Sequence, residues 1–442
     1  MHSLAIALYQ RGYQITGSDD EISDPAKSAL EAYGLLPAEP GWFPEKIGSG
    51  LDGVILGMHA RSDNPELIRA MELGIKVFSY PEFLYHETAG KTRVVITGSH
   101  GKTTITSLVM HVLREYEYQF DYMVGSRVEG FANLVNLESG SSIAIFEGDE
   151  YLASCHDRRP KFLLYQPQIA LISGIAWDHI NVFPTWEGYL NQFNSLICHL
   201  PENGCLIYCR EDEVLTRLAE KVNPAVKKIP YSTPDYQADK EGFNITHDGS
   251  VYKMQVFGRH NMQNLEGARL ICSQLGISDA DFYRSAGKFR GAGKRLQLMG
   301  QKDNTAVFLD FAYSPSKVEV TVKAVKEQFP ERKLIAMLEL CTFSSLNKSF
   351  LGHYRHTMDH ADQAVVYYNP EILKHKRLED LSRDEVGAAF EKKGLKVMTD
   401  KDELEDFLRS TAWDNTVLLL MSSGNFSGLD IQAWSRCILT LA

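Results

Sequence analysis

The chain has 442 residues, 44 % of them hydrophobic and 23 % charged, with a formal net charge of −11. At roughly 100–200 residues per domain this is material for two to four globular domains, and its acidity speaks against nucleic acid as a partner. No apolar run approaches the roughly 18 residues of a membrane span, no secretory signal opens the chain, and seven scattered cysteines suit a reduced, cytoplasmic protein.

MHSLAIALYQ reads as a helix, Gly12 as a turn, and YQITGSD as a strand ending in an acid. That order is the second half of a Rossmann-type β-α-β unit, whose first strand and glycine loop are expected about twenty residues upstream. LDGVILGMHA predicts a strand, NPELIRAMELG a helix stopped at Gly74, IKVFSY a strand and HETAGKT a polar linker. Residues 1–90 thus form a first α/β segment. Its candidate substrate contacts are Ser18 and Asp19 at one strand end, and His59 and Ser62 in the loop after another.

A second segment, residues 91–295, opens with the strand RVVITG, the loop SHG and the helix KTTITSLVMHVLREY. Gly98 and Gly101 let the backbone approach a phosphate, and the helix start and its dipole favour the anion. Lys102 would reach the outer phosphates and Thr103 would offer its hydroxyl to Mg²⁺. Ser99, His100 and Thr104 complete the expected ATP-binding loop. The general phosphate loop has a further glycine where Ile96 stands here.

SSIAIFEGDEY is a strand ending in Glu147, Asp149 and Glu150, and QIALISGIAWDHINVFPT one followed by Asp178 and His179. Acids at the carboxyl ends of parallel strands, beside a phosphate loop, are natural ligands for magnesium, which takes hard oxygens. GCLIYCR predicts a strand; it places Cys205 and Cys209 in a sheet rather than in a zinc site with Cys198 and His199, whose spacing fits no finger. VFGRHNMQN then starts a helix near Asn261.

The third segment, residues 296–442, has strands at TAVFLDFAYSP, KLIAMLEL, QAVVYY and TVLLLMSSG, with a helix at SKVEVTVKAVKEQF. HYRHTMDH would put His353, His356 and His360 on one helical face, a wet surface in preference to a metal site.

The loop TGSHGKTT resembles the (G/A)TxGKTT loop of the Mur ligases and the folylpolyglutamate synthetases. EGDEY and WDH resemble the EADES-type and (E/D)xDH boxes of the Mur ligases, GRHNMQN their GRHNxxN box, FRGAGKRL their FxGxxxRF segment, and DFAYSP their DYAHxP box. A Rossmann-like segment ahead of the phosphate loop favours the Mur ligases over the folate enzymes. The resemblance implies an α/β, three-domain Mur ligase architecture: a Rossmann-like N-terminal domain, a central P-loop ATPase domain and a Rossmann-like C-terminal domain.

By that resemblance Glu147 and His179 bind Mg²⁺ together with Thr103. Asn261 and Asn264 hold adenine, Arg295 meets the γ-phosphate and Asp310 contacts ribose, while Tyr313 replaces a family histidine. Lys102, His179 and Arg295 are the expected catalytic set, acting on ATP and UDP-N-acetylmuramate as the third domain closes. One branch of the family adds L-alanine to that nucleotide sugar. Another adds the tripeptide L-Ala-γ-D-Glu-meso-diaminopimelate. The run EGDEYLASCHDRRPKF has the style of the second branch, and Thr342 and Ser345 stand where the alanine branch carries arginines. The tripeptide is therefore the favoured partner.

Overall fold

A computed structural model of the chain describes residues 1–177, 179, 182–239 and 242–441; Asp178, an expected strand-end acid, lies outside them. The chain divides into two units: residues 1–175, 185–232 and 267–282 form one, and residues 176–184, 233–266 and 283–442 the other.

In the first unit, β1 (Val54–Leu56) and β2 (Val77–Ser79) pair in parallel. Asn64 caps the helix Pro65–Glu72 between them by accepting from the Glu66 and Leu67 N–H groups, and Gly74 at φ +67° ends it. The helix His2–Gln10 ends before Gly12 at φ +90°, as its pattern predicts. YQITGSD does not form the predicted strand. Among the described residues it has no ladder partner beyond an isolated bridge from Asp19 to Gly41. An extended segment becomes a strand only where a neighbour takes up its backbone groups. HETAGKT is not wholly a linker either, since a helix with a Ser79–Glu82 capping box runs from Tyr80 to Thr88.

The larger sheet of this unit contains β3 (Thr92–Thr97), β4 (Asp121–Met123), β5 (Val135–Asn136), β6 (Ile143–Glu147), β7 (Ile169–Ile172), β8 (Cys205–Cys209) and β9 (Lys227–Tyr231). Its order is β5-β4-β6-β3-β7-β8-β9, parallel except for the edge strand β5. The central strands read VVIT, IAIF and IALI because helices cover both faces of a parallel sheet. β3 lies between β6 and β7, so the loop after it and the acids after β6 emerge at one edge.

The second unit holds an antiparallel sheet of β10 (Gln237–Asp239), β11 (Gly242–His247) and β12 (Ser250–Met254), which the sequence reading missed. It also holds β13 (Gln297–Lys302), β14 (Thr305–Asp310), β15 (Lys333–Glu339), β16 (Gln363–Tyr367), β17 (Lys396–Met398) and β18 (Thr416–Met421), in the order β13-β14-β18-β15-β16-β17. Only β13 runs antiparallel there. Val318, Val322 and Val325 of the helix Pro315–Gln328 pack on one face of this sheet and Trp413 on the other. The expected histidine face is absent. Gly352–Tyr354 is a single 3₁₀ turn and His356 adopts φ +64°, so the three histidines do not share one helix.

Candidate active site

β3 delivers the chain into a tight loop whose glycines are required by geometry. Gly98 has φ +121°, and a Cβ there would lie 2.9 Å from the Gly174 carbonyl oxygen. Gly101, at φ +75°, caps the helix Lys102–Glu115. Ser99 is fixed from the neighbouring strand: its N–H donates to the Gly174 carbonyl at 2.9 Å, and its hydroxyl meets the Tyr189 hydroxyl at 2.9 Å. Ser173, at the end of β7, donates a hydrogen bond to the His100 carbonyl. The loop is therefore held open by its own sheet, and the helix start and dipole favour an anion in it. Thr104 is buried behind the loop.

Lys102 and Thr103 face the acids that follow β6. The Lys102 ammonium donates to Glu150 Oε2 at 2.5 Å and to the Gly98 carbonyl at 2.8 Å. Burial opposes its charge, but Glu150, Asp149 and Glu147 outweigh that and hold its pKa above the ordinary lysine value. Thr103 Oγ1 donates to Glu147 Oε1 at 2.8 Å, while Glu147 Oε2 accepts the Gly125 N–H at 2.7 Å. Glycine at 125 lets the carboxylate approach this closely: a Cβ would stand 2.9 Å from Glu147 Oε1, and the carboxylate would have to shift. The donor set suits magnesium. Two hard oxygens 2.8 Å apart match the edge of an octahedron, about 2.9 Å for ligands at roughly 2.05 Å.

The structure thus brings together Gly98, Ser99, His100, Gly101, Lys102, Thr103, Thr104 and Glu147. Reading from sequence missed Glu150 as the counter-ion of Lys102, and Ser173 and Gly125 as braces. Only the run EGDE hinted at the first. Ser18 and Asp19 lie in the irregular segment before Gly41, and His59 and Ser62 are exposed in turns after β1.

The remaining expected residues belong to the second unit. His179 has φ +56°, and its carbonyl accepts the Val182 and Phe183 N–H groups at 2.8 and 2.9 Å. Asn261 donates to the Phe257 carbonyl at 2.8 Å and Asn264 to Asn261 Oδ1 at 3.4 Å. Burial pushes the neighbouring His260 down to about 4, so its imidazole is neutral. Arg295 sits between Lys294 and Leu296, both at positive φ, and its guanidinium stacks on Phe311 at 4.6 Å. Asp310 ends β14; its carboxylate accepts the Leu296 N–H at 2.6 Å and the Ala312 N–H at 2.7 Å. Burial raises its pKa, against the pull of Arg295 and these bonds. Asp310 thus clamps the segment carrying Arg295 to the start of the C-terminal sheet.

Three family descriptions cover this chain almost end to end: "Mur ligase family, catalytic domain" over residues 1–92, "Mur ligase middle domain" over 96–272 and "Mur ligase, glutamate ligase domain" over 294–424. The chain belongs to the Mur ligase family. Its members are ATP-dependent, ADP-forming amide ligases, and the chain has their three-domain α/β fold. A UDP-N-acetylmuramate–L-alanine ligase of Paenarthrobacter aurescens is 28 % identical, over 83 % of this chain and 80 % of that protein. A UDP-N-acetylmuramate–L-alanyl-γ-D-glutamyl-meso-2,6-diaminoheptandioate ligase of Haemophilus influenzae is 26 % identical, over 97 % and 95 %. Among solved structures, a murein peptide ligase of Psychrobacter arcticus superposes with a TM-score of 0.68 at 20 % identity, over 100 % of this chain and 96 % of that one. The alanine ligase of Thermotoga maritima gives 0.71 at 20 %, over 99 % and 96 %. At that identity the two structures speak to the fold alone.

Proposed function

We propose that this Mur ligase joins the tripeptide L-Ala-γ-D-Glu-meso-diaminopimelate to the lactyl carboxylate of UDP-N-acetylmuramate, in peptidoglycan synthesis or recycling. A carboxylate is a poor electrophile, so ATP must activate it. One carboxylate oxygen attacks the γ-phosphorus, the bond to the β–γ bridging oxygen breaks, and ADP leaves with that electron pair. The neutral amine then adds to the acyl carbon, the tetrahedral adduct expels phosphate, and the nitrogen passes its surplus proton to solvent or to the departing phosphate. The loop Gly98–Thr104 cradles the phosphates, and Lys102 offsets charge on the transferring group. Thr103 and Glu147 would hold Mg²⁺, with His179 as its further proposed ligand; the ion supplies charge neutralisation at the phosphates. Asn261, Asn264, Arg295 and Asp310 are the proposed nucleotide contacts in the matching motifs, and Ser18, Asp19, His59 and Ser62 those to the nucleotide sugar. All seven cysteines are free, as suits a cytoplasmic enzyme.

The observation that carries the peptide over free alanine lies after β15. A small amino acid needs a charged fork for its carboxylate. Here Thr342 and Ser345 bond their hydroxyls to each other at 2.9 Å, and Lys348, beyond them, pairs with Glu385 at 2.8 Å. The alternative, L-alanine as acceptor, matches the name of the Paenarthrobacter relative. ADP formation with ATP, UDP-N-acetylmuramate and a panel of amines decides between them. The tripeptide is expected to give the higher kcat/KM, and a higher value for L-alanine would reassign the chain to the alanine ligases.

A further inference from the structure

Residues 149–161 fold back on themselves. Leu152 and Pro160 form an antiparallel bridge, the Ala153 N–H donates to the Arg159 carbonyl at 2.9 Å, and the Lys161 N–H to the Tyr151 carbonyl at 2.9 Å. The fold-back returns Lys161 to the strand end the chain has just left. Its ammonium donates to Asp149 Oδ2 at 2.8 Å, beside Glu150 and two residues beyond Glu147.

Two lysines therefore flank three carboxylates, and their pairings differ in kind. Lys102 is paired with Glu150, whose side chain is 1 % exposed. Breaking such a buried pair would leave a desolvated charge without its partner. Lys161 is paired with Asp149, whose side chain is 35 % exposed, although Lys161 itself is only 15 % exposed. Water reaches the acid side of this pair and screens it, so Asp149 can give way to another anion. Lys161 also closes the fold-back, through its N–H to the Tyr151 carbonyl. It begins the short helix Lys161–Leu164, which packs on the helix Tyr80–Thr88, and it is near enough to Met1 for its charge to act there. This is the side of the first segment, which is expected to carry the nucleotide sugar.

We propose that Lys161 releases Asp149 to bind the acceptor carboxylate, holding one of its oxygens while the other attacks the γ-phosphorus. The proposal rests on the reaction stated above. No proton moves in this step: the ammonium stays charged, the new P–O bond forms, and the bridging P–O bond breaks toward ADP. The ammonium offsets the repulsion between two anions that must come into contact, and no other assigned residue of the chain does this for the carboxylate.

The test uses the full chain, with hydroxylamine as the amine so that the acyl phosphate is read as a hydroxamate. In Lys161→Gln, kcat/KM for UDP-N-acetylmuramate should fall on the order of 10- to 100-fold, the worth of a charge-assisted hydrogen bond. Lys161→Arg should recover part of that loss, and affinity for ADP should stay within about twofold. The second readout compares binding of UDP-N-acetylmuramate with that of UDP-N-acetylglucosamine, which lacks the lactyl carboxylate. Loss of a carboxylate contact lowers that affinity ratio, whereas a lysine that only pins the fold-back leaves it unchanged. An unchanged ratio, or undiminished hydroxamate formation in Lys161→Gln, overturns the role of Lys161 alone. No hydroxamate from the unaltered chain overturns the substrate reading, and this role with it.

Discussion

Replacing Lys102 tests the phosphate loop, and the structure shows why the obvious variant is not a clean one. Lys102→Met removes the ammonium and leaves the Glu150 carboxylate, 1 % exposed, without its partner at 2.5 Å. Removing one member of a buried pair costs about 3–5 kcal/mol, because the remaining charge stays desolvated. That is a large fraction of a domain's stability, typically about 5–15 kcal/mol. Lys102→Met should therefore lose ATP turnover and also lower the urea midpoint of the unit that contains it. The double variant Lys102→Met/Glu150→Gln removes both members of this pair. It should recover most of the lost stability, since apolar and neutral replacements of buried pairs are often tolerated, yet still form no ADP. Urea unfolding followed by fluorescence and a coupled ADP assay read the two effects separately. A single variant as stable as the unaltered chain would show that Glu150 rehydrates without cost. A double variant that turns over ATP would refute the role of Lys102.

Two further expectations concern groups that the site motifs do not explain. Burial lowers His260 from 6.5 to about 4, so between those values the unfolded chain binds more protons than the folded one. Stability therefore rises with pH across this window and is lost as pH falls through it, by at most about 3 kcal/mol and by less where water reaches the ring. Urea midpoints at about pH 5 and pH 7.5 should differ less in His260→Gln than in the unaltered chain; an equal difference would place the acid sensitivity elsewhere. Arg93, 4 % exposed, donates to the carbonyls of Thr88, Ala89, Lys91, Tyr165 and Gln166, joining the end of the helix Tyr80–Thr88 to the turn before β7. Arg93→Met leaves these acceptors without a donor and should cost about 3–5 kcal/mol, with Arg93→Lys intermediate. Urea unfolding of both variants checks the order.

Local pattern was enough wherever a residue's environment is set by its neighbours in the chain. RVVITG, SSIAIFE and QIALI are read as strands because both faces of a parallel sheet are buried and every side chain must be apolar. The loop Gly98–Thr104 was legible because positive φ demands glycine and a helix start attracts an anion. The failures share one cause. YQITGSD has strand composition, but strand formation depends on a partner elsewhere in the chain. HYRHTMDH has helical spacing, but the turn at His356 breaks it. The sheet β10-β11-β12 was missed although Phe243 and Ile245 alternate with Asn244 and Thr246 in β11; the pairing strand VYKM shows no such alternation.

By itself, then, the order of residues determined the strand, glycine loop and helix around Gly98–Thr104, the strand-end acids and the succession of α/β segments, since each is written in contiguous residues. Tertiary structure alone decided how those residues are partnered. Lys102 bonds to Glu150, not to Glu147. Glu147 instead takes the Thr103 hydroxyl and the Gly125 N–H, and a fold-back returns Lys161 to Asp149. EGDE lists three acids within four residues and does not say which cation each will meet. Successive strand-end residues diverge in direction, and their partners come from a helix, a loop and a hairpin that only the folded sheet brings to one edge.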